Sequence, residues 1–263
     1  MKRLIVLLVA AAVLAPVAAS AGATANTTSA RLDCTKLRAA IGATAFGQAY
    51  SSFGACVSRY APVEQQVTVS AQATCTAQQA DPNFATTHGG KTFAQYYGSG
   101  KKERNAFGNC VSTVAKANSK SEQQGRVNPA RTCRSERTQL GTSTFNATYG
   151  KNSNDRNAFG KCVSATAKAQ VQDEVSASSS CKSSQQTDPN FAQTYGTNAD
   201  LTNAFGKCVS TTASAKSNAQ EHAVVNAART CKGAKKSDPS GFNAKYGSFG
   251  KCVSAQVSKS SQA

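Results

Sequence analysis

The 263-residue sequence predicts an all-α fold: an array of five small disulfide-stapled helical repeats joined by helical or flexible linkers. Three observations predict it. The stretch Asn157-Ala158-Phe159-Gly160-Lys161-Cys162-Val163-Ser164 returns at 105–112 and 203–210, and in shortened form around Phe53-Gly54-Ala55-Cys56 and Phe249-Gly250-Lys251-Cys252. The ten cysteines alternate between an opening type (Cys34, Cys75, Cys133, Cys181, Cys231) and a closing type inside that motif (Cys56, Cys110, Cys162, Cys208, Cys252). Between each pair stands Phe-x-x-x-Tyr, a helical spacing, as Phe46/Tyr50, Phe93/Tyr97, Phe145/Tyr149, Phe191/Tyr195 and Phe242/Tyr246.

In chain order, Lys2 and Arg3, an apolar run from Leu4 to Ala15 and Ala19-Ser20-Ala21 have the three parts of a secretory signal peptide, residues 1–21. About a dozen apolar residues are too few to span a bilayer, which takes roughly 20 in a helix. The expected product is a secreted chain, extracellular or associated with the cell wall, with no membrane span after cleavage. Residues 22–30 read as a flexible N-terminus, followed by repeats at 31–60, 72–116, 128–170, 177–216 and 226–258.

Pairing cysteines across the linkers would orphan Cys34 and Cys252, whereas pairing within repeats uses all ten. Spacing alone does not fix connectivity, but an exported, even-numbered set favours oxidised pairs. The expected bonds are 34–56, 75–110, 133–162, 181–208 and 231–252, each contributing roughly 3 to 4 kcal/mol by closing its loop. After residue 21 the chain has four Leu, one Ile and no Trp. The repeated aromatics, the five Phe-Tyr pairs together with Phe53, Phe107, Phe159, Phe205 and Phe249, are therefore expected inside, next to the disulfides.

Gly98, Gly150, Gly196 and Gly247 directly follow the tyrosines, as left-handed residues that end helices do. Asn105, Asn157 and Asn203 precede the Phe-Gly motif as candidate N-caps. Asp81-Pro82, Asp188-Pro189, Asp238-Pro239 and Asn128-Pro129 read as caps followed by proline at the first helical position. Gly89-Gly90, beside His88, belongs to an insertion found in repeat 2 alone and reads as an exposed turn. Of the four linkers, only 163–180 and 209–230 lack both Pro and Gly. Continuous helix is expected only there, with a flexible tether as the alternative because Ser176 to Ser184 is rich in poor helix formers, while Pro62, and Gly125 with Pro129, should interrupt the first two.

Cys133, Arg134, Glu136, Arg137, Gly141, Phe145, Tyr149-Gly150 and the 157–164 motif resemble secreted repeat proteins of soil actinobacteria that carry no assigned activity. The resemblance covers all five repeats and implies export and small helical modules, not a reaction.

The chemistry is sparse. The closest cysteines are 19 apart, so no Cys-x-x-Cys exists for redox exchange or zinc. His88 and His222 lie in no recognisable catalytic motif, and the loop 151–155, rich in oxygen ligands, is not matched in repeat 2. No catalytic residue, metal ligand or cofactor is expected. Beyond residue 21 there are 28 Lys plus Arg against 13 Asp plus Glu, a formal +15, spread as +4, +5 and +6 over 22–110, 111–180 and 181–263. An even positive charge suits loose multivalent attachment to anionic wall polymers, exopolysaccharide or extracellular DNA. The alternatives are a spacer or matrix protein whose charge only keeps it soluble, and a wall hydrolase using acids such as Asp188 and Asp238.

Overall fold

The computed structural model describes residues 20–126, 128–150 and 157–260. The expected signal peptide, apart from its last two residues, and the oxygen-rich loop at 151–155 lie outside the described residues. All regular structure among the described residues is helical. The elements are α1 (Ser20–Ile41), α2 (Ala43–Tyr50), α3 (Phe53–Ala80), α4 (Phe84–Thr87), α5 (Phe93–Tyr97), α6 (Ala106–Gly125) and α7 (Pro129–Leu140). They continue with α8 (Thr142–Tyr149), α9 (Ala158–Thr187), α10 (Phe191–Tyr195), α11 (Ala204–Ser237), α12 (Pro239–Tyr246) and α13 (Phe249–Ser260).

The five disulfides are Cys34–Cys56, Cys75–Cys110, Cys133–Cys162, Cys181–Cys208 and Cys231–Cys252, one in each repeat. In every repeat the tyrosine ring lies on the phenylalanine four residues before it, at centroid distances of 5.0 to 5.2 Å. The helical spacing thus builds the aromatic wedge beside each disulfide.

The linkers are more helical than their composition suggests. α3, α9 and α11 each carry the closing cysteine of one repeat and the opening cysteine of the next. Pro62, expected to interrupt, lies inside α3. It and Ser58, whose carbonyl it leaves unbonded, both face solvent, so water can take that acceptor. The second linker does break, between α6 and α7, where Asn128 accepts from the amides of Ala130 and Arg131 and Pro129 opens the helix. Residues 22–30, expected to be flexible, are the first turns of α1, which packs along α3 and is anchored by the buried Ala30 and Cys34.

Several local expectations need correction. Of the glycines after tyrosine only Gly247 is left-handed; Gly98, Gly150 and Gly196 are extended. Gly98 and Gly196 are needed for close approach instead, because a Cβ there would collide with the backbone of Glu103 or of Leu201. Asn105, Asn157 and Asn203 precede their helices without a side-chain cap bond. The Asn203 side-chain Oδ1 turns back and accepts from the backbone amides of Thr197 and Asn198, tying down the preceding loop. Asp238-Pro239 caps α12, but Asp81-Pro82 and Asp188-Pro189 form turns two residues further from their helices, each aspartate accepting from the amide two residues on.

The repeats are not separate beads. One apolar cluster contains both Cys133–Cys162 and Cys231–Cys252, so repeats 3 and 5 share a core. A second joins repeat 1 to Ala167 and Val171 of α9, and a third joins repeat 4 to Val67 of α3. The fourth holds repeat 2 and Ala71 of α3. Replacing Cys133 and Cys162 together by alanine should therefore cost about 3 kcal/mol and also raise amide exchange in α13, beyond the repeat that loses its bond. Unchanged exchange in α13 would mean that the repeats fold independently.

Candidate functional site

Two features converge where α1, α3, α6 and α9 meet. The first is a buried charge cluster that sequence reading did not find. Arg126, the residue that ends α6, places Nη1 3.1 Å from Asp33 of α1, Nη2 2.6 Å from Glu122 of α6 and Nε 3.1 Å from Glu174 of α9. Its guanidinium also lies 4.6 Å from the ring centroid of Tyr60 on α3. Gln123 donates to Asp33 at 2.7 Å, and Gln170 donates to Glu174 at 3.1 Å. All three carboxylates are buried.

One cation faces three acids, and a fourth, Glu64, is buried beside them and accepts from Ser119 at 3.0 Å. The cluster therefore retains protons. Burial, and then the Glu122 and Asp33 carboxyls, push Glu64 up to about 9. Burial likewise holds Glu174 well above the usual carboxylate range against the pull of Arg126. For Arg126, burial works against the charge, but Glu174 and Glu122 outweigh it and keep the guanidinium protonated. Glu64 Oε1 and Glu122 Oε2 are buried with no hydrogen-bond donor, an arrangement that favours the protonated form of Glu64.

The second feature is a groove of about 800 Å³ with α3 as its floor and α1 and α6 as its walls. Leu32, Val67, Phe107, Val111 and Ala115 supply its apolar surface, and Lys36, Lys116 and Lys120 also line it. Leu32 is 51% exposed and Phe107 38% exposed, making them two of the three large apolar side chains exposed among the described residues. Phe107 was expected in the repeat core. Phe84, 5.5 Å from Phe93 and 6.2 Å from Tyr97, packs in the wedge of repeat 2, and Phe107 lies outside that cluster, on the groove wall.

The other expected core residues divide by depth. Phe46, Tyr50, Phe93, Tyr97, Phe145, Phe191, Phe205, Phe242 and Phe249 are buried, while Phe53, Phe159, Tyr149, Tyr195 and Tyr246 are partly so. Tyr50 donates to the Ala167 carbonyl at 2.8 Å, and Tyr149 donates to Glu136, which burial raises to about 7. His88 stacks on Phe84 with centroids 3.7 Å apart, and its Nδ1 lies 2.9 Å from the Phe84 carbonyl. It packs the insertion, whose Gly89-Gly90 turn is exposed and uses positive φ at both glycines.

No family model, no curated protein and no solved structure matches the chain.

Replacing Arg126 by methionine should destabilise the fold by about 3 to 5 kcal/mol, because the buried acids then lose their cation. Lysine should restore little, since it offers no planar fork for three partners; chemical denaturation with the disulfides intact measures both. The pH dependence has a definite sign. Glu64 takes up its proton near 4.5 in the unfolded chain and about 9 in the fold, so between those values the fold binds more protons. Stability should fall as pH rises through that window. Thermal unfolding of Glu64→Gln should show a flatter decline from pH 5 to pH 9 than the parent.

Proposed function

We propose that this is an exported, non-catalytic repeat protein that holds loosely to anionic polymers outside the cell. The observation that carries this reading is how the fold sorts charge. Asp33, Glu64, Glu122, Glu136, Asp173 and Glu174 are buried, whereas the lysines and arginines of the described residues stay out of the core, apart from Arg126, whose side chain is 14% exposed. The surface is accordingly more basic than the formal charge implies, and the protons held by Glu64 and Glu174 add to the excess.

Lysines are spread along the chain, with Lys101 and Lys102 exposed in repeat 2, Lys168 on α9, and Lys232, Lys235 and Lys236 near the end of α11. Such a surface attracts phosphate or carboxylate polymers without reading a base or a sugar. The non-catalytic reading rests on the absence of any nucleophile, acid pair or metal set from the repeated positions, and on the acids of α1, α6 and α9 being turned onto Arg126. The five disulfides suit an oxidising, extracellular setting.

The full chain should be retained on purified wall polymer and on DNA at low salt and released before about 1 M salt, where the Debye length is about 3 Å. Changing Lys232, Lys235 and Lys236 to glutamine should reduce the slope of log affinity against log salt by about 1 to 3 without altering the melting temperature. Absence of retention at low salt, or retention unchanged at high salt, overturns the proposal. Release of reducing sugar from the wall would overturn its non-catalytic part.

A further inference from the structure

The Phe-Gly helix of each later repeat is covered by the repeat two places before it. In repeat 3, Gly160 faces Gln48 and Ser164 donates to the Ala45 carbonyl at 3.1 Å, both on α2 of repeat 1. In repeat 5, a Cβ at Gly250 would stand 2.9 Å from the Thr148 carbonyl of α8, in repeat 3. In repeat 4, the Gly206 amide donates to Asn118 at 2.9 Å, on the helix α6 that leaves repeat 2, and Ser214 donates to the Gly125 carbonyl at 2.6 Å. The same surface is thus used three times inside the chain.

Among the described residues, no repeat stands two places before repeat 1 or repeat 2. Among the described residues nothing stands within 4 Å of a Cβ built at Gly108, and Gly54 meets only the side chain of Ser52. In repeat 2 the vacancy is the groove between α1 and α6, whose lining includes Gly108 and Ser112. Phe107 is 38% exposed there, whereas its counterpart Phe205, in a covered repeat, is 2% exposed. Among the described residues, the complementary element of repeat 5 is exposed as well. α12 is the counterpart of α2 and α8, and it has the same eight-residue length. Its Asn243, Ala244 and Lys245 are exposed, where Ala147 and Thr148 of α8 are partly covered by repeat 5.

We propose that the Phe107 groove is an interaction surface for a second copy of this chain, filled by that copy's α12 as α2 and α8 fill the equivalent places within one chain. The contact joins unlike surfaces, so it does not close on itself and successive copies add head to tail. Lys36, Lys116 and Lys120 of the groove meet a helix that carries Lys245, so the approach is opposed by like charge. Salt therefore strengthens this association, the reverse of its effect on binding to an anionic polymer, and the two readings stand or fall separately.

Sedimentation velocity of the disulfide-intact protein over a concentration series, at about 0.1 M and about 1 M salt, tests this as the Debye length falls from about 10 Å to about 3 Å. The expected result is a mass that grows with concentration, grows more at high salt and does not stop at the dimer. Phe107→Asp blocks the groove and Ala244→Arg blocks the helix, both at exposed positions where the fold is not at stake. Each variant alone should associate at least tenfold more weakly. Mixed, they should form a one-to-one complex that grows no further, because each keeps the end that the other has lost. A monomer under all conditions, assembly that weakens with salt, Phe107→Asp assembling like the parent, or folded variants that fail to pair would each overturn the proposal.

Discussion

A single guanidinium ties α9 to α1, α3 and α6, three helices that the Cys34–Cys56 and Cys75–Cys110 disulfides already join to one another. The five cystines act within repeats and fix each aromatic wedge, but they say nothing about how one repeat lies on another. Arg126 supplies that information where α1, α3, α6 and α9 meet, through Asp33, Tyr60, Glu122 and Glu174. Three buried acids without the cation would be among the costliest arrangements a small core can contain, so packings that separate Arg126 from any of them are disfavoured. A core poor in Leu and Ile cannot enforce a unique arrangement by shape alone, and directional charge-assisted bonds compensate.

Much of the local structure was legible because it depends on neighbours in sequence. Phe-x-x-x-Tyr fixes a wedge by helical spacing, and pairing the cysteines across the linkers would have orphaned Cys34 and Cys252 at the ends of the array. The errors share a cause: each concerns a residue whose role is set by something distant. Phe107 looks like Phe205 in sequence, but what covers Phe205 is the approach of another repeat. Pro62 reads as a breaker until its exposed face is known, and Gly98 and Gly196 read as helix stops until the returning loop is seen. Arg126 was visible only as one of 28 basic residues. A faint signal existed, since Glu122 stands twelve residues after Cys110 and Glu174 twelve after Cys162, which sets both at the same place on successive linker helices.

The same division of charge that stabilises the interior shapes the exterior. Placing six acids inside leaves a surface with few anions to offset its lysines. Interior and exterior are thus two outcomes of one allocation, and a substitution that moves an acid outward would change both at once.

The three long linker helices leave little extended backbone between the cystine loops for a protease to enter. Between Cys34 and Cys252, every stretch outside a cystine loop lies in α3, α6, α7, α9 or α11, except the junction at residues 126–128. A protease that nicks a loop inside a cystine ring leaves both new ends covalently attached, and helical backbone resists entry into a protease cleft. Among the described residues, the crossing between α6 and α7 is flanked by Arg126, clasped by three carboxylates, and by the buried Pro129. The residue that orients the helices therefore also guards the place where a single hydrolysed bond would part the molecule in two.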